Sequence, residues 1–296
     1  MKKRIIINGL EHNIHKNLFQ LLVNQYSSFF IAKEIQFGYF DFFSKLKNYD
    51  IFHGITYSRS TKLFFLAKLK GLKTINHWMG SDVLFAKKSK YALLKVKITS
   101  IFVDKHFACS KELVNELKLI GIKADYMPVI PKKIVRTHEI KPLPDKFTVL
   151  TYLPDDRHEF YGSNYIHRLA HEFPEIKFIV VAGSGGYAKQ LKNIKYLGFV
   201  KNMEKYYNDS NILIRMVKHD GFSLCVQEAM GYGRHVIYSY KQKYCFYSKT
   251  YDDVKKYVLT QIKNPTLNLE GHNYIAQKMS HEILSKKLDN LYLSIL

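Results

Sequence analysis

Short apolar runs alternate with segments of helical periodicity in the first half of the chain. Runs rich in β-branched and aromatic residues predict strands, and the segments between them carry apolar residues every three or four positions, which predicts amphipathic helices. The predicted strands are residues 4–8, 34–40, 50–55, 73–78, 105–109 and 124–130. The clearest helix follows Ser110, which can cap its N-terminus, and ends at Gly121.

The second half repeats this alternation. Its predicted strands are residues 147–153, 177–183, 194–200, 212–217 and 235–239. Because strands alternate with helices, we expect βαβ units and parallel sheets. Residues 128–146 contain four prolines and no apolar periodicity, which indicates a break between two domains. We predict domains at 1–134 and 145–296 with a linker at 135–144, and we assign the amphipathic C-terminal helix to the second domain.

The fold class predicted from this order is α/β, with two Rossmann-like, doubly wound parallel-sheet domains that face a cleft. Ligands of such sheets bind outside the carboxyl ends of the strands. Residues that directly follow a strand are therefore the first candidates for a functional site.

Composition narrows the class of protein. Of the 296 residues, 47% are hydrophobic, which supports packed cores, and no run of about 18 apolar residues predicts a transmembrane helix. The basic start precedes only a four-residue apolar run, so we interpret it as a first strand and not as a signal peptide. Three widely spaced cysteines form neither a disulfide framework nor a metal motif, which favours a cytoplasmic protein.

The chain is strongly basic, with a formal net charge of +21. The first 140 residues hold 24 Lys/Arg and 10 Asp/Glu, so most of the excess lies there. Such a charge favours polyanionic partners, namely nucleic acid, an anionic membrane or phosphorylated substrates. A general compositional bias towards lysine explains it equally well, so the charge alone assigns no function.

The segment HDGFSLCVQEAMGYGRHVIYS, residues 219–239, carries the most chemistry. On the short helix predicted here, Glu228 shares a face with Leu224 and Cys225, so its carboxylate points towards apolar surroundings and needs a partner. Hydroxyl groups of a ligand could supply the donors. Asp220 lies just before the helix N-terminus, where free N–H groups favour an anion such as phosphate. The alternative is a solvent-facing Glu228 and an ordinary turn at Asp220.

The acidic pair at a spacing of eight and the following EAMGYGRHVI, residues 228–237, resemble the signature of group 1 glycosyltransferases, glycosyltransferase family 4, which have the GT-B fold. The resemblance implies that Glu228 accepts hydrogen bonds from the nucleotide ribose and that Asp220 contacts the donor sugar. It also implies that the backbone N–H groups of Phe222, Ser223 and Leu224 meet the diphosphate at the helix start, and Gly221 before them is a further donor-binding candidate.

Further matches extend over much of the chain. By resemblance, His77 in KTINHWMGSDV reaches the donor sugar, and the loop that follows it faces the acceptor through Gly80, Ser81 and Asp82. A core histidine and a helix-capping aspartate are the alternatives. The IVVAGSGG segment resembles a Gly-rich donor loop through Gly183 and Gly185, and YLGFV places Phe199 where the backbone meets the nucleobase.

The chain also departs from the family pattern, mostly in its cations. The first loop has Gly9 alone instead of paired glycines, and Tyr161 stands where the family has a diphosphate-binding Lys. Arg157 is the remaining strong cation of that loop, and we include it with Asp220 and His77 as a candidate catalytic residue. Arg215 and Lys218 replace the usual Pro-Ser; they either compensate for the missing Lys or only line the end of the strand.

The function implied by the resemblance is retaining transfer of a sugar from a UDP- or GDP-linked donor to a hydroxyl of a glycan or lipid-linked acceptor. No D-x-D motif is present, so no metal and no other cofactor are expected, and the leaving phosphate would guide front-side attack. Residues 84–97 have five lysines among apolar residues and suggest contact with an anionic membrane at its inner face, although a solvated helix face is the alternative.

Two other functions fit the same sequence. One is a nucleotide-sugar epimerase of the same fold, which would convert its donor without an acceptor. The other is a basic membrane- or polyanion-binding module with a degenerate site. Nucleic acid is not an expected partner, because no recognised nucleic-acid-binding motif is present.

Overall fold

The structure, a computed structural model, describes residues 2–8, 14–34, 43–56, 58–129, 140–187 and 191–296. It divides into two compact units, of which unit 1 comprises Met1–Lys132 and Met279–Leu296 and unit 2 comprises Lys133–Lys278. Gly9 and residues 135–139, half of the predicted linker, lie outside the described residues.

Unit 1 is built on a parallel sheet with strand order β2-β1-β3-β4-β5-β6. Its strands are β1 Lys3–Asn8, β2 Phe30–Glu34, β3 Ile51–Ile55, β4 Lys73–Trp78, β5 Lys105–Ala108 and β6 Ala124–Tyr126. The helices between them are α1 Ile14–Tyr26, α2 Thr61–Leu69, α3 Ser81–Lys88, α4 Lys90–Ser100 and α5 Lys111–Leu119. All five residues of β3 are buried, as expected for a central strand covered on both faces. The Ser110 side chain accepts from the N–H of Leu113, which confirms the predicted cap of α5.

Unit 2 has a second parallel sheet, with strand order β12-β11-β10-β7-β8-β9. Its strands are β7 Thr148–Tyr152, β8 Lys177–Val181, β9 Ile194–Tyr196, β10 Ile212–Arg215, β11 His235–Tyr238 and β12 Phe246–Tyr247. Its helices are α6 Ser163–Glu172, α7 Glu204–Asn208, α8 Leu224–Gly231, α9 Tyr251–Lys263 and α10 Leu269–Lys278. Two parallel sheets with helices between their strands confirm the predicted α/β class and its two Rossmann-like, doubly wound domains.

Three predicted strands differ from the structure by four residues, all at sheet edges. Strand β2 is Phe30–Glu34, earlier than predicted, and residues 35–40 lie outside the described residues. Along β2, Phe30 and Ala32 are buried while Ile31 is exposed, which is the alternation of an edge strand. Strands β6 and β9 end at Tyr126 and Tyr196, four residues before their predicted ends, because each has only one neighbouring strand.

The C-terminal helix, α11 His281–Leu293, lies in unit 1, which corrects its assignment to the second domain. Its buried residues include Leu284, Leu288 and Tyr292, and Ser285 Oγ donates to the carbonyl of Leu22 on α1 at 3.0 Å. The helix therefore supplies core to the first sheet although 146 residues of unit 2 precede it. Among the described helices, none has the length and hydropathy needed to cross a membrane.

Candidate functional site

Helix α8 holds Glu228 against a tyrosine from α7. The hydroxyl of Tyr207 donates to Oε2 of Glu228 at 2.6 Å, and the Tyr207 side chain is 1% exposed. Burial raises the pKa of Tyr207 well above its ordinary value, and the charge of Glu228 raises it further, so the phenol stays protonated and donates. Glu228 itself is half-buried, so the predicted need for a partner is met inside unit 2 by Tyr207.

A pocket of 170 Å³ opens beside this carboxylate. Its lining combines aromatic, amide and charged groups, from Lys201, Asn202, Met203, Glu204, Tyr207, Glu228 and Tyr232. The rings of Tyr207 and Tyr232 stack with centroids 5.3 Å apart, which makes one wall rigid. A small polar ring with hydroxyl donors would find here an apolar wall and a charged acceptor.

Asp220 forms an ion pair with Arg215 at the end of β10. Both Nε and Nη2 of Arg215 lie 3.0 Å from Oδ2 of Asp220, and the two side chains are only 9% and 12% exposed. The guanidinium also lies over the ring of Tyr161, 4.6 Å from its centroid. The arginine therefore fixes the aspartate at the strand exit, and Tyr161, which replaces the family's Lys, supports that arginine.

The N-terminus of α8 begins directly after this pair. Ser223 takes the N-cap position but its side chain caps no backbone N–H; instead its Oγ contacts Sγ of Cys225 at 3.2 Å. The first N–H groups of any helix have no acceptor within the helix, and here the Ser223 side chain does not supply one. The start of α8 is therefore suited to bind an anion. In the loop before them, Gly221 and Phe222 are half-buried, and Ser223 is buried.

Two exposed cations border the same loops. The guanidinium of Arg157, in a 3-10 turn at 155–157, lies 4.4 Å from the ring centroid of Phe160. The backbone N–H of Lys218 donates to the carbonyl of Phe160 at 2.9 Å, which ties the exit of β10 to the exit of β7. The loop after β7, which contains Arg157, and the loop after β10, which contains Lys218 and Asp220, are therefore neighbours.

The glycine-rich loop after β8 is organised by an aspartate that the sequence analysis missed. The carboxylate of Asp155 accepts from N and Oγ of Ser184 at 2.9 and 2.8 Å and from N of Gly185 at 3.1 Å, and these bonds lower the pKa of Asp155. A Cβ on Gly183 would lie 2.1 Å from the carbonyl oxygen of Leu153, so only glycine fits there. The sequence did contain a signal for Asp155, because it is an acidic residue shortly after the apolar run that forms β7.

Phe199 lies near this loop and is 89% exposed, so unit 2 does not bury it. The backbone of the same segment is bound to the loop, because the N–H of Ala182 donates to the carbonyl of Gly198 at 2.7 Å. The predicted backbone contact with a nucleobase stays a prediction.

His77 lies in the core of unit 1 and not at its surface. The side chain is 0% exposed, with Nδ1 3.2 Å from Nε2 of His53 and Nε2 2.9 Å from the carbonyl oxygen of Met127. Both ring nitrogens therefore have partners within the unit, which does not support the predicted contact with a sugar. The alternative interpretation, a hydrogen-bonded core histidine, describes this environment.

The loop after β4 is shaped by Asp82, which is 4% exposed. Its carboxylate accepts from the N–H groups of Met79, Gly80 and Val83 at 2.9–3.1 Å, and burial raises its pKa to about 6 although these bonds lower it. Asp82 thus holds the turn into α3, as its capping alternative proposes. Gly80 is buried, and Ser81 is the exposed member of the predicted acceptor side.

The predicted donor residue Gly9 lies outside the described residues. Within the described ranges, no group of three His, Cys, Asp or Glu side chains is placed to hold a metal ion.

The comparisons with known proteins agree with this arrangement. Residues 146–246 match the model of the family described as glycosyl transferases group 1, which confirms the predicted resemblance over most of unit 2. No curated protein sequence matches the chain.

Solved structures match over nearly the whole chain. HepE from Anabaena, in complex with UDP and glucose, has a TM-score of 0.77 at 12% identity and covers 99% of this chain and 100% of its own. Sucrose-phosphate synthase from Thermosynechococcus elongatus has a TM-score of 0.71 at 13% identity, with 99% of both chains covered. The lipopolysaccharide outer core galactosyltransferase WaaB has a TM-score of 0.67 at 13% identity, with both chains fully covered. The chain therefore has the GT-B fold, and fold and family match together support glycosyltransferase activity.

Proposed function

We propose that this protein is a retaining glycosyltransferase that moves a sugar from a nucleotide-diphosphate donor to an acceptor hydroxyl. The observation that carries the proposal is the order of groups around α8. An arginine-fixed carboxylate, Asp220, precedes the helix N-terminus, and a second carboxylate, Glu228, lies two turns further along beside a pocket. Sugar, diphosphate and ribose follow one another in the donor in the same order.

Glu228 is the proposed ribose ligand. A carboxylate accepts from two adjacent hydroxyls, and hydrogen bonds to a charged acceptor are stronger than neutral ones. Tyr207 holds Oε2 in place, so the carboxylate is oriented before the donor arrives. The structure of HepE contains UDP, which supports UDP as the first nucleotide to test and GDP as the second.

The diphosphate is proposed to lie at the start of α8. Its negative charge grows as the glycosidic bond breaks, and groups already aimed at that charge stabilise the transition state without reorganising. The N–H groups of Leu224 and its neighbours provide one such set, with Lys218 and Arg157 as the exposed cations. If these N–H groups and cations neutralise the charge of the leaving diphosphate, the reaction needs no metal ion.

Asp220 is the proposed contact for hydroxyls of the donor sugar. Its carboxylate is held by Arg215, so it can orient the ring while the leaving phosphate guides the acceptor to the same face, which gives retention. His77 has no part in this proposal, because both its ring nitrogens are used in the core of unit 1.

The proposed acceptor is a glycan or lipid-linked hydroxyl on the cytoplasmic side of a membrane. The name of WaaB, a lipopolysaccharide outer core galactosyltransferase, supports an acceptor of this class. Acceptor contacts are proposed for unit 1, where Ser81 is exposed at the end of β4.

Nucleotide binding tests the proposal most directly. UDP, GDP, ADP and CMP would be titrated calorimetrically into the wild type and into Glu228→Ala, and the matching sugar nucleotide would be followed by NMR with and without acceptor. We expect one diphosphate to bind selectively and to bind at least about tenfold more weakly to Glu228→Ala. Conversion of the donor sugar without an acceptor would identify an epimerase, and a folded protein that binds no nucleotide would refute a donor site.

A further inference from the structure

Helix α4 has two apolar faces, and only one of them packs against unit 1. Ala92, Val96 and Thr99 are buried, which accounts for the inner face. On the other side the large apolar residues Tyr91, Leu94, Ile98 and Ile101 are 75%, 56%, 43% and 73% exposed. A surface helix normally presents polar residues there.

The exposed residues form one stripe. Successive residues of an α-helix are rotated by about 100° around the helix axis. On this basis the side chains of the four exposed residues point within roughly 80° of one another, on the side of α4 opposite the buried face. Helix α4 therefore buries one apolar stripe against unit 1 and exposes a second one that unit 1 does not cover.

Helix α2 extends this surface. Phe65 and Leu69 on α2 are 42% and 60% exposed. The ring centroid of Phe65 lies 5.4 Å from that of Phe102, the residue after Ile101, so the exposed side of α2 borders the end of the exposed stripe on α4. We call the exposed apolar residues of both helices the apolar stripe; they are Phe65, Leu69, Tyr91, Leu94, Ile98 and Ile101.

Lysines flank the stripe on both sides. Around the axis of α4, Lys90 and Lys97 are rotated by about 60–80° from the centre of the stripe in one direction. Lys95 is rotated by about 80° in the other direction. All three are exposed. Between residues 58 and 103 the sequence has ten Lys/Arg and one acidic residue, Asp82, which is buried.

We propose that the apolar stripe docks on an anionic lipid bilayer. The apolar side chains would enter the region between headgroups and acyl chains, and the flanking lysines would reach lipid phosphates. A second copy of the chain fits less well, because pairing would bring two lysine-rich surfaces together without acidic partners. Nucleic acid would engage the lysines but leaves the apolar stripe unexplained.

This surface is more specific than the 84–97 segment suggested by the sequence. Ser89 caps a new helix by accepting from the N–H of Ala92 at 3.1 Å, so that segment is divided between α3 and α4. The docking proposal rests on the exposed apolar side chains of α2 and α4 and on the lysines beside them. It does not depend on the proposed transferase activity.

Vesicle binding by the full chain tests the proposal. Vesicles of phosphatidylcholine, pure or with about three in ten lipids replaced by phosphatidylglycerol, would be sedimented with the wild type and with Leu94→Glu/Ile98→Glu. The matched control is Leu259→Glu/Ile262→Glu on α9 of unit 2, whose side chains are 42% and 37% exposed. Circular dichroism and thermal melting would establish that each variant is folded.

We expect the wild type and the α9 control to bind anionic vesicles, with binding that weakens at high salt. Leu94→Glu/Ile98→Glu should partition at least about tenfold more weakly, because it loses apolar insertion and gains negative charge. In Leu94→Trp the new indole emission should shift to shorter wavelength on vesicles, against the background of Trp78, the one native tryptophan, which is 0% exposed.

Four results would overturn the proposal. One is equal vesicle binding by the α4 and α9 variants, and another is no wild-type binding to anionic vesicles. The third is a dimer in sedimentation equilibrium that Leu94→Glu/Ile98→Glu dissociates while vesicles remain unbound. Salt-sensitive binding to an oligonucleotide without vesicle binding would likewise assign the lysines to a different partner.

Discussion

The phenolic oxygen of Tyr207 lies 2.6 Å from Oε2 of Glu228, so a hydrogen bond joins two helices that strand β10 separates in the chain. Tyr207 is buried and its ring stacks on Tyr232, which leaves it little freedom to move. The bond therefore fixes the direction in which Glu228 presents its carboxylate to the pocket.

Removal of the Tyr207 hydroxyl should weaken donor binding without disrupting unit 2. Tyr207→Phe keeps the ring but loses one charge-assisted hydrogen bond, so we expect a roughly five- to tenfold higher Kd for the nucleotide diphosphate, measured by calorimetry. Tyr165→Phe is the matched control, since that hydroxyl donates to the carbonyl of Lys249 at the surface. An unchanged Kd in Tyr207→Phe would show that the orientation of Glu228 does not limit binding.

Two neighbouring glycines should respond differently to the same substitution. Gly183→Ala places a methyl group 2.1 Å from the carbonyl oxygen of Leu153, whereas the nearest atom to a methyl group on Gly186 is Oγ of Ser184 at 3.9 Å. We expect Gly183→Ala to lower the free energy of unfolding by about 1–3 kcal/mol and to weaken nucleotide binding. Gly186→Ala should leave both within experimental error in denaturant unfolding and calorimetry.

The Arg215–Asp220 pair should show strong energetic coupling. Because both side chains are nearly buried, removal of either partner leaves an uncompensated charge. A double-mutant cycle with Arg215→Met and Asp220→Asn should give a coupling of about 1–3 kcal/mol in urea unfolding.

The same pair tests the proposed chemistry. We expect kcat of Asp220→Asn to fall at least about a hundredfold while Kd for the free nucleotide changes little, since Asp220 is proposed to contact the sugar. A kcat close to the wild-type value would remove Asp220 from the sugar site and leave the ion pair with a structural role.

Unit 1 should lose stability at mildly acidic pH. Burial holds the pKa of His53 well below its ordinary value, and the nearby His77 lowers it further. The unfolded chain therefore binds this proton first, and so it does for His106, whose pKa burial lowers to about 4; the pKa of Asp82, raised to about 6, acts in the opposite sense. Stability is therefore complete above about pH 6.5 and falls as pH decreases through that value, by a net of about 1.4 kcal/mol per pH unit for one proton. Fluorescence of Trp78, which is buried in unit 1, would follow the transition; a flat profile between pH 7 and about 5 would contradict the assignment.

The hydroxyl of Tyr292 completes a directed chain of hydrogen bonds in that core. The carbonyl of Met127 can only accept, so a neutral His77 donates to it from Nε2 and accepts from Nε2 of His53 at Nδ1. His53 then accepts at Nδ1 from the hydroxyl of Tyr292 at 2.8 Å. Every donor in this series therefore has an acceptor.

Tyr292→Phe should therefore destabilise unit 1 with almost no change of shape. It leaves Nδ1 of His53 buried without a donor, which costs about 1–3 kcal/mol. Tyr257→Phe on α9 of unit 2 is the control, and the Trp78 transition in urea is the measurement. Equal midpoints for the two variants would mean that the tie between α11 and β3 contributes nothing to stability.

The sequence by itself determined the features that depend on neighbouring residues in the chain. Periodicity placed the central strands, Ser110 marked a helix start, and the family resemblance carried by Asp220, Glu228 and the residues that follow implied a candidate donor site. These features are local, because a helix or strand forms from the pattern of a dozen residues.

Only the tertiary structure decided which side chains meet. Asp155 reaches Ser184 across 29 residues, Tyr207 reaches Glu228 across 21, and Tyr292 reaches His53 across 239. Such partners depend on which strands and helices become neighbours, and that order follows from long-range packing of apolar faces. For the same reason the sequence could propose His77 as a site residue, whereas the packed core of unit 1 shows both its nitrogens occupied.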